Sequence, residues 1–224
     1  MIDNESERFR KFVDTFLVDG KYDSLAKWES ADTRRLFGYQ PELFTALMNS
    51  VPVTSRGNGI LKFLHVQSTP SAFDWNSEAG WKSDWAKWKD RLQVFAYDWS
   101  GSQFGLDQDR RAGQELLVSI LEPGTGQLLE TPHTFEQFVT RALVEEADAA
   151  LNRSFYYAWL RSGGPAPAPG ECIGYKKPLF LGGQDAVDNL SLQPMEVYVS
   201  FSGQLFAAGK SVPRGTPIRG VAIE

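Results

Sequence analysis

The sequence predicts an α+β fold, an antiparallel meander of strands with helices packed on it. Three observations predict it. The flanks carry apolar residues at helical spacing, the stretch from Gln93 changes to short apolar runs, and Glu122-Pro123-Gly124-Thr125-Gly126 has the chemistry of a hairpin turn. At 224 residues and 42% hydrophobic, the chain has enough apolar material for a core of its own.

Phe9, Phe12, Val13, Phe16 and Leu17 recur at helical spacing among Arg8, Arg10, Lys11 and Asp14, predicting an amphipathic helix over residues 5–18 that Gly20 ends. Pro41 opens a second helix carrying Leu43, Phe44, Leu47 and Met48, and Pro52 stops it. Gly57-Asn58-Gly59 is a turn into an apolar strand from Ile60 to Val66, with His65 packed inside it. Trp75 then precedes Trp81, Trp85, Trp88 and Leu92, whose spacings of four, three and four predict a helix from Ser77 to Arg91 with its tryptophan face in the core.

Val94 to Tyr97 reads as a strand, Gly101 to Leu106 as its partner and Glu115 to Leu121 as a third, with Gln127 to Glu130 returning antiparallel after the Pro-Gly turn. Thr134 and Gln137 form a capping-box pattern that opens a helix carrying Phe135, Phe138, Val139 and Leu143. A further helical stretch runs through Ala147, Ala150, Leu151, Phe155, Tyr156 and Trp159. Gly163 to Gly170 holds three prolines and three glycines and is a loop or linker. Met195 to Ser202 reads as a final strand, with an extended tail after Phe206.

The segment from Glu171 to Tyr198 has the most specified turn chemistry of the chain. Gly182-Gly183 opens backbone angles closed to other residues, so Leu179, Phe180 and Leu181 are buried in one direction while Asp185, Asp188 and Asn189 face another. Asp185 and Asp188 read as turn caps.

A net charge of −5 argues against a general affinity for nucleic acid and suits a basic partner. The single cysteine, Cys172, excludes an internal disulfide framework and reads as a buried, inert thiol in a reducing compartment. The N-terminus has no signal-peptide pattern and no run approaches the roughly 20 apolar residues of a membrane span, so a cytoplasmic protein, monomeric when free, is expected. No phosphate loop, zinc helix or nucleophile elbow occurs, and His65 and His133 stand far apart. Asp98, Asp107 and Asp109 are the carboxylates nearest to an acid, a base or a cation site, but their spacing matches no such loop. The expectation is a protein without catalytic residues, cofactor or metal.

Four motifs stand in one order: Phe95 to Asp107 with its Asp98-Trp99-Ser100-Gly101 step, Leu121 to Gly126, Gly174 to Gly183, and Asn189-Leu190 with Met195-Glu196-Val197-Tyr198. Together they resemble the C-terminal domain of type VI secretion immunity proteins that neutralise a DNase toxin. Upstream, Pro41-Glu42-Leu43, Gly57 to Val66 and Trp75 to Trp88 resemble the GAD-like N-terminal domain of such proteins, and the strand pair is more distantly similar to the SUKH superfamily. The resemblance implies a GAD-like region over residues 1–92, an immunity-type domain over 93–206 and a tail over 207–224. It implies an inhibitor that binds a cognate toxin, a nuclease, and occludes its active cleft. Gly174, Tyr175, Pro178, Leu181, Gly182, Gly183, Asn189, Glu196 and Tyr198 are then the fold signature. Candidate contact residues are Asp98, Trp99, Asp107, Asp109, Glu145, Glu146, Asp148, Asp185 and Asp188. Two other readings compete: a regulatory or scaffold module of the same fold, and a small hydrolase or metal-dependent enzyme using Asp98, Asp107 or the Asp185 region. A toxin gene next to this one separates the first from the second; a structure without a concave pocket of converging carboxylates would sink the third.

Overall fold

Helices lead into a single meandering sheet in the computed structural model, which describes residues 4–16, 28–38, 42–50 and 55–210. The expectations at Leu17, Gly20, Pro41 and Pro52 lie outside those residues. Helix α1 (Asn4–Thr15) is followed by Phe16, and Phe12 and Phe16 are buried on one side. Helix α2 (Ser30–Phe37), which periodicity alone did not reveal, is short: Asp32 accepts the Glu29 N–H at 3.2 Å at its start, and a left-handed Gly38 ends it. Helix α3 (Glu42–Ser50) carries the predicted Phe44, Leu47 and Met48 into the core.

The sheet takes its strands in chain order, every neighbour antiparallel: β1 (Ser55–Arg56), β2 (Leu61–Phe63), β3 (Leu92–Asp98), β4 (Gln103–Ala112), β5 (Glu115–Glu122) and β6 (Gln127–Thr134). The α+β meander is as expected. Leu61 pairs with Asp98, Tyr97 with Gln103, Gln103 with Leu121, and Glu122 with Gln127 across the hairpin. Residue 93 thus lies inside a continuous sheet, since β2 from the upstream region pairs directly with β3. One aromatic cluster also spans that position: Phe44 meets Phe135 at 5.0 Å, and Phe95 meets Phe135 at 5.0 Å, edge to face.

The stretch from Ser77 to Arg91 is not the predicted helix. After the short helix α4 (Ala72–Trp75) the chain runs through tight turns, with Asp84 N–H to Trp81 O at 3.3 Å, Trp88 N–H to Trp85 O at 2.9 Å and Arg91 N–H to Trp88 O at 3.1 Å. Spacings of three and four are shared by a helix and by successive turns, so Trp81, Trp85 and Trp88 are buried as expected on a different backbone. Their task is docking. Trp85 Nε1–H donates to Val199 O at 2.9 Å, and the Trp88 and Phe206 rings stack at 5.9 Å.

The Thr134 capping box forms as predicted and opens α5 (Phe135–Gln137). A π-helical turn over Phe138–Ala142 follows, then α6 (Leu143–Glu145) and α7 (Ala147–Leu151). The next helical stretch is broken: Asn152 is left-handed at φ 45°, separating α7 from α8 (Arg153–Arg161). Beyond the proline-rich loop, β7 (Glu171–Tyr175) and β8 (Leu190–Pro194) form a second, two-stranded sheet.

Met195 to Ser202 is helix, not strand. Helix α9 (Met195–Lys210) buries Met195, Tyr198, Val199, Ser202 and Leu205, a helical face that the β-branched and aromatic run had disguised, because Val197 and Phe201 point outward and Ser202 inward. The helix continues past Phe206, where a tail was expected. Gly174 of β7 lies under this helix, so close that any Cβ there would drive into the Tyr198 ring. Gly174→Ala is expected to cost about 1–3 kcal/mol, as overpacking does, measured by urea unfolding.

Candidate functional site

The four separated motifs meet at one place. Asp98, at the end of β3, folds its side chain back over the turn that follows: Ser100 N–H, Ser100 Oγ–H and Ser102 N–H donate to its Oδ1 at 2.8, 2.7 and 3.0 Å. Gly101, left-handed at φ 83°, completes the turn against the Tyr198 ring and the Cys172 sulfur. Trp99 is held on every side. Its N–H donates to Ile60 O at 2.9 Å, its carbonyl accepts from Ile173 N–H at 2.6 Å, and its Nε1–H donates to Leu151 O at 2.6 Å.

Around this turn lies a cavity of about 110 Å³. Its walls are Asp98, Trp99, Ser100 and Ser102, then Glu122, Pro123, Gly124 and Thr125 of the hairpin, the α7–α8 junction at Leu151, Asn152 and Phe155, and Tyr175 and Tyr198 from β7 and α9. Leu129, Ala149 and Asn152 are exposed at its rim. Gly124 lets the walls close, since a Cβ there would lie 2.6 Å from the Tyr175 ring and 3.2 Å from the Tyr198 hydroxyl. The Gly124 carbonyl accepts Leu179 N–H at 2.8 Å, tying the hairpin to the Gly174 to Gly183 motif.

Most of the signature residues have structural tasks. Pro178 is buried, Gly182 is left-handed, and Asn189 clamps the loop through Lys177 N–H at 3.1 Å, Lys177 O at 2.9 Å and Gln184 O at 2.8 Å. Leu179, Phe180 and Leu181 are half-buried rather than core. Glu196 is exposed in the first turn of α9. Tyr175 and Tyr198 line the cavity, and Tyr175 Oη–H donates to Asp185 Oδ1 at 2.6 Å.

The candidate contact residues divide sharply by burial. Asp98, Trp99 and Asp107 are 4%, 1% and 0% exposed, so this part of the expected acidic surface does not exist. Asp107 is bound by Arg91 at 2.8 and 2.7 Å and by Ser119 Oγ–H at 2.6 Å. Burial pushes that carboxyl up, but the bonds from Arg91, Ser119 and Asp109 N–H outweigh it and hold the group below its usual range. Asp109, Glu145, Glu146, Asp148, Asp185 and Asp188 are exposed as expected. Glu145 and Glu146 are loosely paired with Arg141, each at 3.8 Å, and Asp148 accepts from Ser154. Glu122, Asn152 and Phe155 escaped the sequence reading. Only the asparagine interrupting a helical run signalled the cavity rim.

Burial also governs the remaining titratable groups. It pushes the Cys172 thiol up, as expected of an inert side chain. It pushes Asp98 up to about 7, against the opposing pull of the Ser100 and Ser102 bonds and of Lys62. Among the described residues, no group of three or more His, Cys, Asp or Glu side chains is arranged to hold a metal, and no helix is long and apolar enough to cross a membrane.

The fold and this site define an α+β protein whose C-terminal half is organised around a partly open, aromatic-walled cavity. Residues 127–206 match the family model described as T6SS immunity protein Tdi1, C-terminal, and this segment is similar to that domain. The crystal structure of Atu4351 from Agrobacterium tumefaciens has a similar fold, with a TM-score of 0.57 and 11% sequence identity over 88% of each chain. No curated protein sequence matches the chain.

The buried carboxyl has a measurable consequence. The unfolded chain releases the Asp98 proton near 3.8 and the folded chain keeps it to about 7, so between these values the fold binds more protons and loses stability as pH rises. Asp98→Asn keeps the Oδ1 acceptor and removes the titration. Relative to wild type it is expected to gain on the order of 2 kcal/mol between about pH 5 and about pH 8, measured by urea unfolding at each pH; an unchanged difference would show that Asp98 titrates normally.

Proposed function

We propose that this protein is an immunity protein that binds a cognate toxin, a nuclease, and neutralises it by occluding the active cleft, without chemistry of its own, in the cytoplasm of the producing cell. The observation that carries this reading is the family match over residues 127–206. Charge supports the choice of toxin. Nucleases hold polyanionic substrates in electropositive clefts, and a partner with a net charge of −5 is drawn to such a cleft.

The exposed acids Glu145, Glu146 and Asp148, on α6, α7 and their junction, are the proposed steering face, close to the cavity rim at Ala149 and Asn152. Asp109, Asp185 and Asp188, also exposed, are proposed as further contact residues. Residues 1–92 are proposed as a GAD-like region on the strength of the Pro41-Glu42-Leu43, Gly57 to Val66 and Trp75 to Trp88 motifs. The function is tested by co-expression with the toxin encoded beside it: co-purification and rescue of growth are expected, and the loss of both would overturn the reading.

Replacing Glu145, Glu146 and Asp148 together by lysine is expected to slow toxin association about tenfold at low salt, with little change in dissociation. The pairs to Arg141 are exposed, so unfolding should shift by less than about 1 kcal/mol. Stopped-flow association at several salt concentrations checks this, and an unchanged rate would place the steering face elsewhere.

A further inference from the structure

The cavity has a composition that the fold alone does not explain. Its lining includes two carboxylates, Asp98 and Glu122, and four aromatic rings, Trp99, Phe155, Tyr175 and Tyr198, but no lysine, arginine or histidine. All three hydrogen bonds that the Asp98 side chain receives fall on Oδ1, so its second oxygen is not needed to hold the turn. Asp98 is 4% exposed and lines the cavity, and no hydrogen bond among the described residues falls on that second oxygen. Lys62 pairs across the sheet with Tyr97 and lies over its ring, while Asp98 pairs with Leu61 and so projects from the other face; the Lys62 Nζ donates to Gly59 O at 2.6 Å.

Carboxylate acceptors ringed by aromatic faces are the chemistry that selects a cation. The rings are already fixed before any partner arrives. Trp99 is tethered to Leu151, Tyr175 to Asp185, and Phe155 meets Trp99 edge to face at 5.9 Å. A volume of about 110 Å³ accommodates a planar guanidinium or an ammonium with part of its stem, and the exposed rim at Leu129 and Asn152 offers its apolar methylenes a surface.

We propose that this cavity is a socket for one protruding arginine or lysine side chain of the toxin, with Asp98 Oδ2 as its acceptor and the aromatic walls around it. The proposal rests on the immunity reading for the identity of the partner, and on the cavity alone for the chemistry of the ligand. The surface acids then steer the approach, whereas the socket sets how long the complex lasts.

Two measurements test it separately. In the first, the full chain is titrated with n-butylguanidinium and with the neutral isostere n-butylurea, followed by NMR of the tryptophan indole and cavity backbone signals. The cation is expected to bind with a Kd on the order of millimolar, as a ligand of this size can, the urea at least about tenfold more weakly, and both Asp98→Asn and Glu122→Gln to weaken the cation about tenfold or more. Failure of the cation to bind the folded wild type, or equal binding of the urea, would overturn the socket. In the second, toxin dissociation is timed: Asp98→Asn or Glu122→Gln, each shown to be folded, is expected to dissociate at least about tenfold faster with association unchanged. Undiminished residence in both variants would overturn the socket while leaving the immunity reading intact. A wild-type chain that binds the cation but no toxin would overturn the immunity reading and support the socket's chemistry.

Discussion

One carboxyl oxygen holds this structure together at its centre. Asp98 Oδ1 gathers three donors from the Ser100-Gly101-Ser102 turn, and that turn fixes Trp99. From Trp99 the connections run outward to three parts of the molecule: to the chain before β2 through Ile60 O, to β7 through Ile173 N–H, and to α7 through Leu151 O. Its ring meets Tyr156 of α8 at 5.2 Å, and the Tyr156 hydroxyl in turn donates to Asn58 O. A single turn therefore sets the relative positions of the sheet, the two-stranded C-terminal sheet and the α7–α8 pair. Buried hydrogen bonds of this kind are strong because no water competes for them, and unforgiving for the same reason.

The C-terminal helix is secured from the opposite direction. Trp85 reaches it through Val199 O, Trp85 and Trp88 close on Phe206, and Asp84 accepts from Ser200 at 2.6 Å and from Gln204 at 3.1 Å. The residues that pin α9 thus belong to the tryptophan-rich segment more than a hundred positions earlier. Sheet continuity through β2 and β3, the shared aromatic cluster and this docking make the upstream segment a structural support for the cavity walls. Cutting the chain at residue 92 would remove the tryptophans that hold α9 at Val199 and Phe206.

Much of this was legible in the order of residues, and the failures have physical causes. The meander, the Pro-Gly hairpin and the Thr134 capping box are local signals whose turn chemistry leaves few alternatives, and the structure follows them. The tryptophan stripe announced burial correctly but not its backbone, because spacings of three and four serve both helix and consecutive turns. Helix α9 was misread since Val197, Tyr198, Val199 and Phe201 favour strands intrinsically; packing against β7 and the tryptophans overrides that preference. At the site, Asp98 and Asp107 looked like surface acids because nothing local tells an exposed carboxylate from one that folds back on its own turn or meets Arg91 across the sheet. The four motifs were visible, but their convergence on one cavity was not, since it depends on contacts between residues as distant as Trp99 and Ile173.

Asp98 also shows why a structural residue and a binding residue can be the same side chain. The turn needs one acceptor, and a neutral asparagine supplies one without the desolvation that pushes this carboxyl up to about 7. An acid at this position costs stability near neutral pH, while the turn uses only one of its two oxygens. An incoming cation reverses the balance, for it favours the ionised form and supplies the missing donor at once. The strain that burial places on the free protein is then relieved only in the complex, so Asp98 joins the stability of the fold to the lifetime of the proposed complex. In the proposed complex the exposed acids near the rim would act at a distance, be screened by salt and set how quickly the partners meet. Placing speed on the surface and residence in the cavity separates the two demands, because mutation of the exposed face can retune encounter without disturbing the turn that holds the walls.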